Sequence, residues 1–128
     1  MPLSNYRVGA AVAVTDMNRA RSFYEDMLGL KAQGDDPDGG RTYECGDSTE
    51  LHVFPSPGAS PSGATTAGWT VDDIEQIVDE LSATGVTFER YQHGEVSTDE
   101  KGIARFGQDK GAWFKDPDGN VLALVQPA

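Results

Sequence analysis

Cysteine is nearly missing from this chain: Cys45 is the only one in 128 residues. A single thiol excludes an intramolecular disulfide and fits a reducing compartment, so Cys45 is expected to be a small buried hydrophobe. Positive charge is also scarce. Ten Lys and Arg stand against twenty-one Asp and Glu, a formal net charge of -11. Such a surface repels phosphate backbones and anionic membranes, which argues against nucleic acid and lipid as partners. The same acidity keeps a surface soluble and suits a cationic ligand. No apolar run approaches the length of a membrane span, and Met1 to Arg7 lack the apolar core of a signal peptide, so a cytoplasmic protein is expected. At this length one domain can bury a core without metal or disulfide staples.

Near the end of the chain, Ala112 to Val125 holds two runs of apolar residues around Asp116-Pro117-Asp118-Gly119-Asn120. Pro fixes one backbone angle and Gly admits a positive one, so a closing β-hairpin is predicted there. Upstream, Val8 to Val14 alternates in size, with Val8, Ala10, Val12 and Val14 on one face and Gly9, Ala11 and Ala13 on the other. Asp16 is a good N-cap for a helix carrying Met17, Ala20, Phe23, Tyr24, Met27 and Leu28 at helical spacing, and Gly29 ends it. Leu30 to Ala32, Arg41 to Cys45 and Glu50 to Phe54 read as strands, the last with Glu50, His52 and Phe54 sharing a face.

Residues 55–63, rich in Pro, Ser and Gly, form a linker with nothing to bury. The pattern then returns. Thr65 to Val71 is a strand, Asp72 or Asp73 caps a helix with the stripe Ile74, Ile77, Val78 and Leu81, and Gly85 closes it. Val86 to Tyr91 extends, Gln92 to Lys101 is a polar loop, and Gly102 to Phe106 precedes the final hairpin. Strand, helix, strand, strand, strand thus occurs twice, in modules of about 5–54 and 64–126. Each half is too small to cover its own sheet and must pack on the other or on a second chain.

Val14-Thr15-Asp16, the helix through Phe23-Tyr24 to Leu28-Gly29-Leu30, Val71-Asp72-Asp73-Ile74 and Phe114 to Asn120 resemble the vicinal oxygen chelate superfamily. Glyoxalase I, extradiol dioxygenases, methylmalonyl-CoA epimerase, fosfomycin-modifying enzymes and bleomycin resistance proteins belong to it. The resemblance implies an α+β fold of two βαβββ modules whose curved mixed sheets surround a cavity, commonly in a homodimer. Metal enzymes of that group hold a divalent ion with His, Gln or Glu on the first and last strands of each module. On this chain the matching positions are Gly9, His52, Thr66 and Ala123, of which only His52 has a metal-binding side chain. A catalytic divalent site needs about three protein ligands, so neither a metal nor another cofactor is expected. A relocated site on Glu50, His52 and His93 is the alternative.

Alternation and the resemblance together place Gly9, Ala11, Ala13, Glu50, His52, Phe54, Thr66, Gly68, Thr70, Trp113, Val121 and Ala123 on the concave face. The candidate ligand-binding residues are Trp113, His52, Glu50, Phe54, Gly9, Ala11, Thr66, Gly68 and Ala123. Trp113 offers a rigid face for stacking or for a cation, and Glu50 and His52 supply polar contacts. Trp69 is assigned to the core. Two functions are carried forward. The first is a metal-free small-molecule binder like the bleomycin resistance members; the second is a lyase, isomerase or dioxygenase with His52 and Glu50 as catalytic residues. An interaction module without a small ligand would fill the cavity with its own side chains.

Overall fold

A computed structural model describes residues 2–93 and 96–128. Its strands are β1 (Ala10–Val14), β2 (Lys31–Asp35), β3 (Arg41–Glu44), β4 (Glu50–Pro55), β5 (Thr65–Thr70), β6 (Gln92–His93), β7 (Val96–Ser97), β8 (Ile103–Phe106), β9 (Asp109–Lys115) and β10 (Val121–Gln126). Two helices, α1 (Met17–Arg21) and α2 (Ile74–Ala83), follow β1 and β5. One sheet has the order β2-β3-β4-β1 and the other β5-β10-β9-β8, with β1 parallel to β4 and β5 parallel to β10. The two modules with mixed sheets are as expected, and β1 and β5 lie side by side where the sheets meet.

Both helices begin at an aspartate. Asp16 accepts from Asn18 N and Arg19 N, and Asp73, not Asp72, accepts from Gln76 N at 3.2 Å. The spacing predicts one helix through Leu28, but beyond Arg21 the turns widen over Ser22–Met27, with Leu28 N donating to Phe23 O five residues back. Such a wide turn lets the adjacent Phe23 and Tyr24 both reach the interior. The extended segment expected at Val86 to Tyr91 contributes only a bridge between Phe88 and Phe114, and the polar stretch after it contains the short β6–β7 ribbon. Both halves share one core, in which Tyr24 stacks on Tyr43 at 6.0 Å and Trp69 on Phe114 at 6.4 Å.

The halves are tied through the final turn. The buried Asp116 carboxylate accepts from Tyr24 Oη (2.8 Å), Asn120 Nδ2 (2.9 Å), Asn120 N (2.9 Å) and Asp118 N (3.0 Å). Asn120 Nδ2 also donates to Ala13 O, and Asp118 accepts from Thr15 N and Thr15 Oγ1. Burial, and next the Asp116 charge, push the Tyr24 phenol far above the ordinary tyrosine range, so it stays a donor.

Asp116→Ala leaves the Tyr24 hydroxyl and the Asn120 N–H buried and unpaired, and is expected to cost about 3 kcal/mol in urea unfolding, against about 1 kcal/mol for Tyr24→Phe. Equal costs would show that the carboxylate is not the common acceptor. A second test concerns Gly40, whose added Cβ would fall on Val53 O and Phe54 Cα. Gly40→Ala should cost about 2 kcal/mol or force the β2–β3 turn away from β4, visible as lost amide protection at Arg41–Glu44.

Candidate functional site

Strand alternation sets the concave face. On β4, Leu51 and Val53 are buried in the core while Glu50, His52 and Phe54 point the other way; on β1, Val12 and Val14 are buried and Ala11 and Ala13 oppose them. Register then aligns rows across each sheet. Ala11, His52 and Thr42 stand in one row of the first sheet, and Gly68, Ala123 and Trp113 in one row of the second.

A cavity of about 670 Å³ opens at the seam, lined by Val8–Ala10, Cys45–Asp47, Thr49–Leu51 and Thr66–Thr70. Gly9, Glu50, Thr66 and Gly68 of the candidate residues meet here. Thr49, Thr66 and Thr70 bring hydroxyls, and Asp47 and Glu50 bring carboxylates. Cys45, expected to be buried, is half-buried at this cavity. A smaller space of about 390 Å³ beside it is lined by Arg7–Gly9 and Asp47–Glu50.

Trp113 lies on the other side of this floor, its indole edge within 3.4 Å of where a Cβ on Gly111 would sit. Tyr91 and Phe106 meet the indole edge-on at 5.6 and 6.2 Å. Between Trp113 and the cavity the row offers only the methyl of Ala123 and the hydrogen of Gly68. Two strand spacings, about 10 Å, therefore separate the indole from the cavity edge with no large side chain in that row. Nothing in the sequence fixes the side on which Tyr91 and Phe106 lie, since one precedes a loop and the other ends an edge strand.

His52 is placed differently. Its Nε2 faces Asp38 Oδ2 at 2.8 Å and its Nδ1 faces Asp36 Oδ2 at 2.9 Å, while Thr42 Oγ1 donates to Asp36 at 2.8 Å. Phe54 stacks on the ring at 5.6 Å. The N–H of Gly40, and after it His52, hold the exposed Asp38 carboxyl below the ordinary carboxylate range. The partners of His52 are thus Asp36 and Asp38 rather than Glu50, which lines the cavity; the side chain of His93 lies outside the described residues.

Sequence reasoning missed both aspartates, yet a signal was there. Asp36-Pro37-Asp38-Gly39 repeats Asp116-Pro117-Asp118-Gly119, and the two turns close with matching bonds, Asp36 N to Gly40 O and Asp116 N to Asn120 O. In the second turn the carboxylates are taken up by the core. In the first they turn to His52.

The donor set does not fit the divalent ion of the superfamily's metal enzymes. Gly9 and Ala123 have no donor atom, Thr66 has a neutral hydroxyl, and both nitrogens of His52 are engaged by carboxylates. Among the described residues, Asp36, Asp38 and His52 are the group whose donor atoms lie near enough for a cation, all within 4.8 Å of one another. Asp36 and Asp38 come from the β2–β3 turn, and only His52, on β4, stands on one of the strands that carry ligands in the superfamily's metal enzymes. Among the described residues no helix is long and apolar enough to cross a membrane.

Solved structures of the same fold cover nearly the whole chain. A protein assigned to the glyoxalase family from Bacillus anthracis superposes with a TM-score of 0.73 at 20% identity, covering 97% of this chain and 98% of its own. FosX, the fosfomycin resistance protein of Listeria monocytogenes, gives 0.71 at 9% identity, with 96% and 93% covered. TnmS3, an antibiotic binding protein from Streptomyces, gives 0.69 at 24% identity, with 96% and 98% covered. Among curated proteins none matches the chain. The sequence profile of one family matches residues 8–124. With the paired modules and the Asp-Pro-Asp-Gly-Asn hairpin in place, that match makes the chain a member of the Glyoxalase/Bleomycin resistance protein/Dioxygenase superfamily.

Proposed function

We propose that the chain is a metal-free small-molecule-binding protein of the cytoplasm, a homodimer that holds a cationic drug or metabolite against its concave face. The observation that carries this reading is the seam cavity. At about 670 Å³ it has the size of drug-binding sites, and it stands where Gly9 and Thr66 replace metal ligands with open space and a hydroxyl. Asp47 and Glu50 at its wall favour a positive charge, and the overall charge of -11 draws cations toward it. From the cavity a bound ring system reaches the Trp113 indole across Gly68 and Ala123, where stacking and cation–π contact add to affinity. TnmS3, which shares the fold, is described as binding an antibiotic. Leu3 and Tyr6, 82 and 72% exposed, are apolar surface of the kind that a second copy covers.

A second reading, a lyase, isomerase or dioxygenase working from His52, is favoured by the convergence of Asp36, Asp38 and His52. The ion would have to displace one carboxylate from an imidazole that already faces two. Its ligands would be this relocated set, with the remaining coordination open to substrate.

Elemental analysis of protein purified without chelator separates the two. The binding reading expects well below one Zn, Mn, Fe or Ni per chain. One equivalent, lost in Asp36→Asn and Asp38→Asn, would establish the relocated site and end the metal-free account. For the ligand, titration with ethidium as a planar cation should quench tryptophan fluorescence and raise the melting temperature. Trp113→Ala should weaken that binding about tenfold, the loss of one buried aromatic contact with a cation. If ethidium and cationic glycopeptides leave fluorescence and melting unchanged, the drug-binding form of the reading fails.

A further inference from the structure

The seam cavity has a property that its side chains alone do not reveal. A strand that shows a face to a cavity contributes alternate residues, but here β5 contributes five in a row, Thr66, Ala67, Gly68, Trp69 and Thr70, and Val8 and Gly9, which lead into β1, line it together with Ala10. Consecutive residues mean that β5, and the extended segment that enters β1, meet the cavity edge-on. Each of the two strands is the last of its sheet, with β1 paired only to β4 and β5 only to β10. Among the described residues, the hydrogen bonds that cross from β1 to the second half lie at the far end, at Ala13 O, Thr15 N and Thr15 Oγ1. The seam is therefore closed at the end of β1 by the Asp116–Asn120 turn and open at its start. In the open part, two edges present backbone N–H and C=O groups without ladder partners.

We propose that this opening binds an extended, amide-bearing chain carrying positive charge, a short peptide or peptide-like molecule, through strand pairing with the edges of β5 and β1. The inference rests on the small-molecule-binding reading above and names its ligand class. Unpaired strand edges recognise another extended backbone, because each ligand amide satisfies a donor and an acceptor at strand spacing. From Thr66 to Thr70 the edge is about 13 Å long, which matches about four ligand residues. Asp47 and Glu50 at the wall match an amine or guanidinium on the ligand, and Thr66 and Thr70 add hydroxyls at the same edge.

The test uses the full chain labelled with ¹⁵N and two probes: an acetylated and amidated Lys-Val-Lys-Val tetrapeptide, and the same peptide with its backbone nitrogens methylated. The unmethylated peptide should shift the amide signals of Gly9, Ala10 and Thr66–Thr70 and slow their hydrogen exchange. Methylation, which removes the donors, should weaken binding about tenfold or more, and Glu50→Gln should weaken it several-fold with an unchanged melting temperature. Equal binding of the two peptides overturns the proposal. So does protection of the same amides in the free protein that rises with protein concentration, since a second copy would then occupy the seam. If the tetrapeptide fails at millimolar concentration while ethidium binds at Trp113, strand pairing falls and the small-molecule reading stands; if neither binds, both fall.

Discussion

One carboxylate holds the two halves of this protein in register. Asp116 sits at the end of the last hairpin, buried, and accepts four hydrogen bonds, one of them from Tyr24 in the other module. A carboxylate so placed is tolerable because its lone pairs are filled by hydrogen-bond donors. Tyr24 reaches it because the first helix widens after Arg21 and turns both Phe23 and Tyr24 inward. The turn then extends Asn120 and Asp118 to the end of β1. Removing the carboxylate would unsettle a helix, a hairpin and a sheet edge together.

The same tie shapes the site. By fastening only the far end of β1, it leaves the start of β1 and the edge of β5 apart, and a cavity of about 670 Å³ occupies that gap. The residues around it include Gly9 and Gly68, small where bulk would close it. An added Cβ on Gly9 would meet nothing within 4 Å, whereas one on Gly68 would press on Ala123. An acidic wall on one side and the Trp113, Tyr91 and Phe106 cluster on the other give the concave face two chemistries, a charge to attract a cation and rings to cover it.

Fold and chemistry separate at His52. The superfamily's profile matches residues 8–124, yet three of the four positions that the resemblance marks for metal ligands hold Gly, Thr and Ala. The remaining histidine is held by Asp36 and Asp38, in a turn built like the one around Asp116. One sequence motif thus serves two ends: facing the core its carboxylates lock the modules together, and facing the concave side they fix an imidazole. Membership of a superfamily that hosts several reactions does not select among them, and the argument for function rests on these particular side chains.

Short-range physics made much of this legible from the sequence. Pro and Gly in Asp116–Asn120 dictated a reversal, Asp16 and the pair Asp72-Asp73 marked the helix starts, and alternation in Glu50–Phe54 put His52 opposite Leu51 and Val53. Each depends on backbone angles or on a period of two or 3.6 residues, which neighbours along the chain determine. Tertiary packing decided the rest. Val86 to Tyr91 lost its ladder because β8 takes most of the edge of β9, leaving only the bridge at Phe114. His52 chose Asp36 and Asp38, fourteen or more residues away, over Glu50 two residues away, because side chains two apart on a strand lie along one face without meeting. The open seam exists only once two sheets are set beside each other, and no local pattern in either strand encodes the distance between them.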